Sequence, residues 1–160
     1  MRPLASMIRR MWRTATPADD EAIVALCAAL NDEDPGADPV PPEYTRRTLD
    51  FLRQQPSRGL ALVMDCEGRI AGYALLIAFW SNELGGETCA VDELYVVPDY
   101  RGRGWAERLL RELAEPDHPW AFGAVALTVE TTADNREARR LYTRVGFSGS
   151  NLALRRRLRN

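Results

Sequence analysis

DELYVVPDYRGRGWAERLL, residues 92–110, decides how this chain is read. It opens with the alternating, β-branched and aromatic character of a strand and breaks at Pro98. It then places Arg101, Gly102, Arg103 and Gly104 directly ahead of an apolar-periodic helix running from about Gly104 to Ala114. A helix N-terminus carries unpaired N–H groups and about half a positive charge. Glycines before it let the backbone curl so that several N–H groups converge on one anion, and the arginines add charge-assisted donors. The stretch therefore reads as a cradle for a diphosphate. It differs from two other phosphate turns: a GxGxxG pattern needs glycine where Glu107 stands, and no GK[ST] follows.

The rest of the chain narrows the options. At 160 residues a single domain spanning residues 1–160 is expected. The hydrophobic content of 46% and charged content of 28% are ordinary for a soluble globular protein. A formal charge of -2 gives no global attraction to nucleic acid, and no apolar run approaches the roughly 20 residues of a membrane span. All 21 basic residues are arginine, which excludes a lysine nucleophile, a Schiff-base lysine and a P-loop lysine. Cys27, Cys66 and Cys89 are odd in number and show no metal spacing, which suits a reduced, cytoplasmic protein with no bound metal. His118, the only histidine, sits in a proline-bracketed loop without a GxSxG partner stretch. The first ten residues are arginine-rich and lack a secretory apolar core. They read as an extension before the first strand, with Met7 and Met11 as candidate starts.

Outward from the opening stretch, the pattern is β-α-α-β-β-β-α-β-α-β-β. MWRTAT begins as a short strand, and Thr16-Pro17 signals a helix start with Asp19, Asp20 and Glu21 in its first turn. NDEDPGADPVPPE is a loop, and Tyr44 to Gln55 forms a second helix. GLALVMD, IAGYALLIAFW and TCAVDELYVV are strands joined by tight turns, and Gly85-Gly86 serves the second turn. Of Phe79 and Trp80, one should face the core. GAVALTVE is a fifth strand, DNREARRLYTRVG a fourth helix, and FSGSNLALRRRL one or two closing strands with a basic, solvated end. The fold class is α/β (α+β), a mixed central sheet flanked by about four helices.

DELYVVPDYRGRGWA resembles motif A of the GCN5-related N-acetyltransferases, whose pattern is Arg or Gln, any two residues, Gly, any residue, then Gly or Ala. Arg101, Gly104 and Ala106 fill those places. NREARRLYTRVGF, Asn135 to Phe147, resembles the family's motif B, with its Asn, helical Tyr and closing Gly-Phe. The resemblance implies an acyl-CoA N-acyltransferase fold and acetyl-CoA as co-substrate. It implies that Leu94, Tyr95 and Val96 offer backbone groups to the pantetheine arm. Gly102, Arg103, Gly104, Trp105, Ala106 and Glu107, with Arg101 at the edge, would hold the pyrophosphate, and Asn135 would contact the cofactor. Trp105 fills a slot often held by Ile or Leu; it either packs under the sheet or reshapes the cofactor pocket.

Direct acetyl transfer needs an amine that loses a proton, a polarised thioester carbonyl and a protonated leaving thiolate. Tyr142, seven residues and two helical turns after Asn135, matches the family's acid. Asp92 and Glu93 are the candidate bases. Neighbours on a strand normally face opposite ways, unless a bulge changes the count. By the family's pattern Asp92 is favoured, acting through water, because a carboxylate of ordinary pKa is a weak base for an ammonium. No basic residue lies between Arg13 and Arg46, a span holding Asp19, Asp20, Glu21, Asp32, Glu33, Asp34, Asp38 and Glu43. In the resembled fold this region flanks the acceptor groove, so a small cationic amine, polyamine- or aminoglycoside-like, is the expected partner, with a homodimer common in the family. Acetylation of a protein N-terminus or lysine, a silent acyl-CoA-binding module, and an unrelated nucleotide-binding domain are the rival readings.

Overall fold

The computed structural model describes residues 11–150 and 153–158. The amino-terminal extension and its two candidate starts therefore fall outside or at the very edge of what is described. The strands are β1 (Trp12–Thr14), β2 (Gly59–Cys66), β3 (Arg69–Ser81), β4 (Gly86–Val96) and β5 (Ala126–Val129). The helices are α1 (Asp20–Glu33), α2 (Pro42–Gln54), α3 (Trp105–Leu113) and α4 (Arg136–Arg144). The strands lie side by side in chain order, antiparallel from β1 to β4, with β5 parallel to β4. The β4–α3–β5 connection is the crossover that a parallel pair requires. The chain divides into two compact units, one ending at Glu130 and one beginning at Thr131.

In the first unit, strand alternation sends residues to two buried faces. Ala61, Val63, Tyr73, Leu75 and Tyr95 form one core with Ile23 and Cys27 of α1 and Leu49 and Leu52 of α2. The intervening Leu62, Met64, Ala74 and Leu76 are buried as well, and α3 contributes Leu109, Leu110 and Leu113 to the interior. Each fully buried aliphatic side chain contributes about 1.5–3 kcal/mol relative to exposure. The indole of Trp12 donates to the carbonyl of Trp105 at 3.2 Å, fixing the start of α3 to the sheet's first strand.

Three local expectations change. The Thr16-Pro17 signal produces a 3₁₀ turn, Pro17–Asp19, before α1 begins at Asp20. Asp19 is not a dipole-facing surface acid there: it is buried, accepts from both Nη atoms of Arg13 and caps the Thr16 N–H at 2.7 Å. Phe79 and Trp80 are both exposed, at 64% and 62%. They lie near the far end of the β3–β4 ladder, beyond the reach of either buried face. No strand forms in 148–150 or 153–158. Gly149 has φ +104°, and Leu154 stands 94% exposed among arginines with no apolar face to bury.

Candidate active site

The site grows from an irregularity in β4. Opposite β3, Leu76 pairs with Val91 but Leu75 pairs with Glu93. Asp92 is the extra residue, a β-bulge. At the same point β4 loses its other neighbour, because β5 pairs only from Thr88 to Val91. From Asp92 to Val96 the strand is held by β3 alone among the described residues, so one edge of Leu94, Tyr95 and Val96 faces away from any ladder partner.

The bulge gives the two adjacent acids different surroundings. Asp92 is exposed. Glu93 turns to the face covered by α1 and α2, where the phenol of Tyr73 donates to its Oε2 at 2.7 Å. Burial pushes the Glu93 carboxyl up from its ordinary value; the Tyr73 hydroxyl pulls it back, while the charge of Asp92 adds to the rise. Tyr73 is fully buried, and burial together with Glu93 drives its own pKa up, so its proton stays on the phenol. Cys27 lies in the same cluster, accepting from the Thr45 hydroxyl at 3.4 Å. Burial raises its thiol as well.

Beyond Val96 the chain makes a 3₁₀ turn, Pro98–Tyr100, and then the glycine bend. Gly102 and Gly104 both adopt left-handed backbone, φ +73° and +76°, which side-chain-bearing residues reach only at a cost. A Cβ at either would meet no atom within 4 Å, so the bend is open rather than packed. Gly104 is the N-cap of α3 and has no side chain to close the first turn. Trp105 follows, half-buried, with the Arg108 guanidinium 5.2 Å from its ring centroid. Its indole N–H is buried without a hydrogen-bond partner among the described residues. Glu107 pairs with Arg111 one turn on, at 2.9 Å.

The two arginines of the bend differ. Arg103 is exposed, donates to the Asp99 carbonyl at 3.2 Å and lies 5.4 Å from the centre of the Tyr100 ring. Arg101 is anchored: Nε donates to the carbonyl of Val96 and Nη2 to Oε2 of Glu33, both at 2.7 Å. Its guanidinium lies 5.2 Å from the centre of the Tyr95 ring. Sequence reasoning counted Glu33 only as part of an acidic rim. Glu33 is not the only such acid with a partner: Asp19 pairs with Arg13, Asp20 with Arg53 and Glu21 with Arg46. These four acids are thus matched by arginines within the fold.

The second unit contains the other named residues. Asn135 caps α4, its Oδ1 accepting from the Ala138 N–H at 3.1 Å. Tyr142 is half-buried and meets Phe147 edge-on, with centroids 5.6 Å apart. Gly146, at φ +99°, ends the helix as motif B implies.

These features fit the phosphates and arm of acetyl-CoA: two open left-handed glycines, an uncapped helix start and a strand edge released from its partner. Among the described residues no helix is long and apolar enough to cross a membrane. The chain is 31% identical over 81 residues to the uncharacterized N-acetyltransferase Mb2688 of Mycobacterium bovis, covering 51% of this chain and 47% of that protein. It is 30% identical over 95 residues to the uncharacterized N-acetyltransferase YhfO of Bacillus subtilis, covering 59% and 62%. The matched stretch thus spans about half the length of these curated relatives. Its fold is similar to that of the integron cassette protein HFX_CASS3 from the Cole Harbour Salt Marsh metagenome, with a TM-score of 0.79 and 25% identity over 99% of this chain and 97% of that one. It is also similar in fold to the glucosamine-6-phosphate N-acetyltransferase of Arabidopsis thaliana, with a TM-score of 0.69 and 16% identity over 92% and 97%. The model of the Acetyltransferase (GNAT) family matches residues 23–147, across both units, and the chain belongs to that family.

Proposed function

We propose that the protein is an N-acetyltransferase that moves the acetyl group of acetyl-CoA to the primary amine of a small cationic molecule, directly, in a ternary complex. The observation that carries this is the bend itself: Gly102 and Gly104 in left-handed backbone at the uncapped start of α3. It follows, across one 3₁₀ turn, a strand whose edge opens at a bulge. Acetyl-CoA, when bound, supplies an activated acetyl thioester. The N–H groups of residues 102–107 and the Arg103 guanidinium bind its phosphates. The open edge of Leu94, Tyr95 and Val96 hydrogen-bonds the arm and orients it.

Asp92 is the base. It is exposed in the bulge, where an ammonium and a bridging water can reach it. Glu93 supports the site from behind, half-buried and bonded to Tyr73. Tyr142, matched through motif B, holds a proton at Oη for the departing sulfur, and Asn135 contributes a cofactor contact. The preference for a cationic acceptor is supported by the α1–α2 connector, residues 34–41, which includes Asp34 and Asp38 and no basic residue.

The test is release of free CoA thiol against a panel of polyamines, aminoglycosides, amino acids and peptides, in the wild type and in Asp92→Asn and Tyr142→Phe. Turnover with a polyamine or aminoglycoside is expected, with kcat reduced roughly 10²-fold or more in each variant and CoA affinity within about twofold. Tight CoA binding with no turnover on any amine would make the chain a binding module and overturn the proposal. Turnover confined to peptides would overturn its choice of acceptor.

A further inference from the structure

We infer that Glu33 is a positioning residue that bolts the phosphate-binding bend to the end of α1, so that the bend and the α1–α2 connector move as one. The inference rests on the reading above that this bend seats the phosphates of coenzyme A.

Glu33 is the last residue of α1. A carboxylate there opposes the negative end of the helix dipole. It is offset by two partners, one on each oxygen: the Tyr95 phenol donates to Oε1 at 2.7 Å and Arg101 Nη2 to Oε2 at 2.7 Å. Tyr95 is itself buried in the core beneath α1. Arg101 is the residue before Gly102, and its Nε holds the terminal carbonyl of β4 at Val96. Beyond it neither glycine has a side chain and their Cβ positions are open, so the bend's other ties include the Arg103 bond to the Asp99 carbonyl and, at the start of α3, the Trp12 indole on the Trp105 carbonyl. Arg101 is the tie that joins the bend to β4 and to α1, and Glu33 sets the pose of Arg101. On its other side, Glu33 is followed at once by the connector, starting at Asp34. One side chain thus joins the segment that would hold the cofactor to the segment that would flank the acceptor. A diphosphate that orders the bend would, through the same carboxylate, order the connector.

The experiment compares the wild type with Glu33→Gln, Glu33→Ala and a control, Glu21→Ala. The control removes an arginine pair from the opposite end of the same helix. Coenzyme A binding is measured by calorimetry, and amide hydrogen exchange across 34–41 is followed with and without coenzyme A. The wild type is expected to slow exchange in 34–41 on binding. Glu33→Ala is expected to bind roughly five- to tenfold more weakly and to lose that protection, with Glu33→Gln intermediate because one acceptor oxygen remains. Glu21→Ala is expected to match the wild type in both measurements. Unchanged affinity and protection in both Glu33 variants, or equal losses in Glu21→Ala, would overturn the inference. If Glu33→Ala does not fold, Glu33→Gln decides by the same criteria. A wild type that does not bind coenzyme A would instead overturn the reading on which the inference rests.

Discussion

Gly104→Ala separates a phosphate seat from a merely flexible turn. The residue has φ +76°, a conformation that costs an L side chain about 1 kcal/mol. The new methyl meets no protein atom within 4 Å, so that backbone term is the whole expected loss of stability. For a chain of this size it lowers Tm by about 2–4 °C. The methyl would, however, stand in the open concavity beside the first N–H groups of α3, where a diphosphate has to approach. Losing one or two charge-assisted hydrogen bonds weakens binding by roughly tenfold or more. Gly68, in the β2–β3 turn, provides a matched control: its φ is +89° and its Cβ position is also open. Calorimetric titration with coenzyme A and thermal melts are run on both variants. Similar melting losses are expected, with weakened binding only in Gly104→Ala. Equal coenzyme A affinity in the two variants would refute the assignment of the bend.

Two further predictions concern buried charge. Tyr73→Phe removes the donor that keeps the Glu93 carboxyl from rising further. A carboxyl raised by folding favours the native state at low pH and penalises it as pH climbs through the folded value. The variant should therefore lose about 2 kcal/mol at pH 7 and clearly less at pH 4, read from urea midpoints; an equal loss at both would show that Glu93 is not involved. Asp19, held by Arg13, falls from 3.8 to about 2. Its share of stability, about 2 kcal/mol, is present above pH 4 and lost as pH falls toward 2. Asp19→Asn should be less stable at pH 6 and flatter in its acid unfolding, and an acid limb as steep as the wild type's would contradict this.

Much of this was legible because single residues carried strong local rules. The left-handed glycines, the apolar period of α3 and the closing Gly146 each announce one conformation. What escaped depends on partners distant in sequence. Nothing in the word ELYVV reveals that Asp92 is the residue without a β3 partner, because a bulge is a property of two strands. Asp19 reads as a helix-start acid until Arg13 and Asp65 are seen converging, with Arg13 Nη2 at 2.9 Å from Asp65. Glu33 and Arg101 are 68 positions apart, too far for any local pattern to pair them. The aromatic pair Phe79-Trp80 misled because alternation predicts opposite faces but not whether either face is covered that far along the strand. The basic tail misled for the converse reason: alternating leucines suggest a strand, but a strand needs a neighbour.

The additional residue at Asp92 also behaves like a frameshift in three dimensions. Every side chain after it on β4 is carried to the face opposite the one an unbroken count from Val91 would give. Tyr95 meets Tyr73 and Glu33 because Asp92 bulges out of the ladder instead of pairing within it. Were Asp92 instead paired in register with β3, Leu94 would come opposite Tyr73 and the carboxylate at the end of α1 would face an aliphatic chain, whereas deleting Asp92 would leave Tyr95 opposite Tyr73 in a regular ladder.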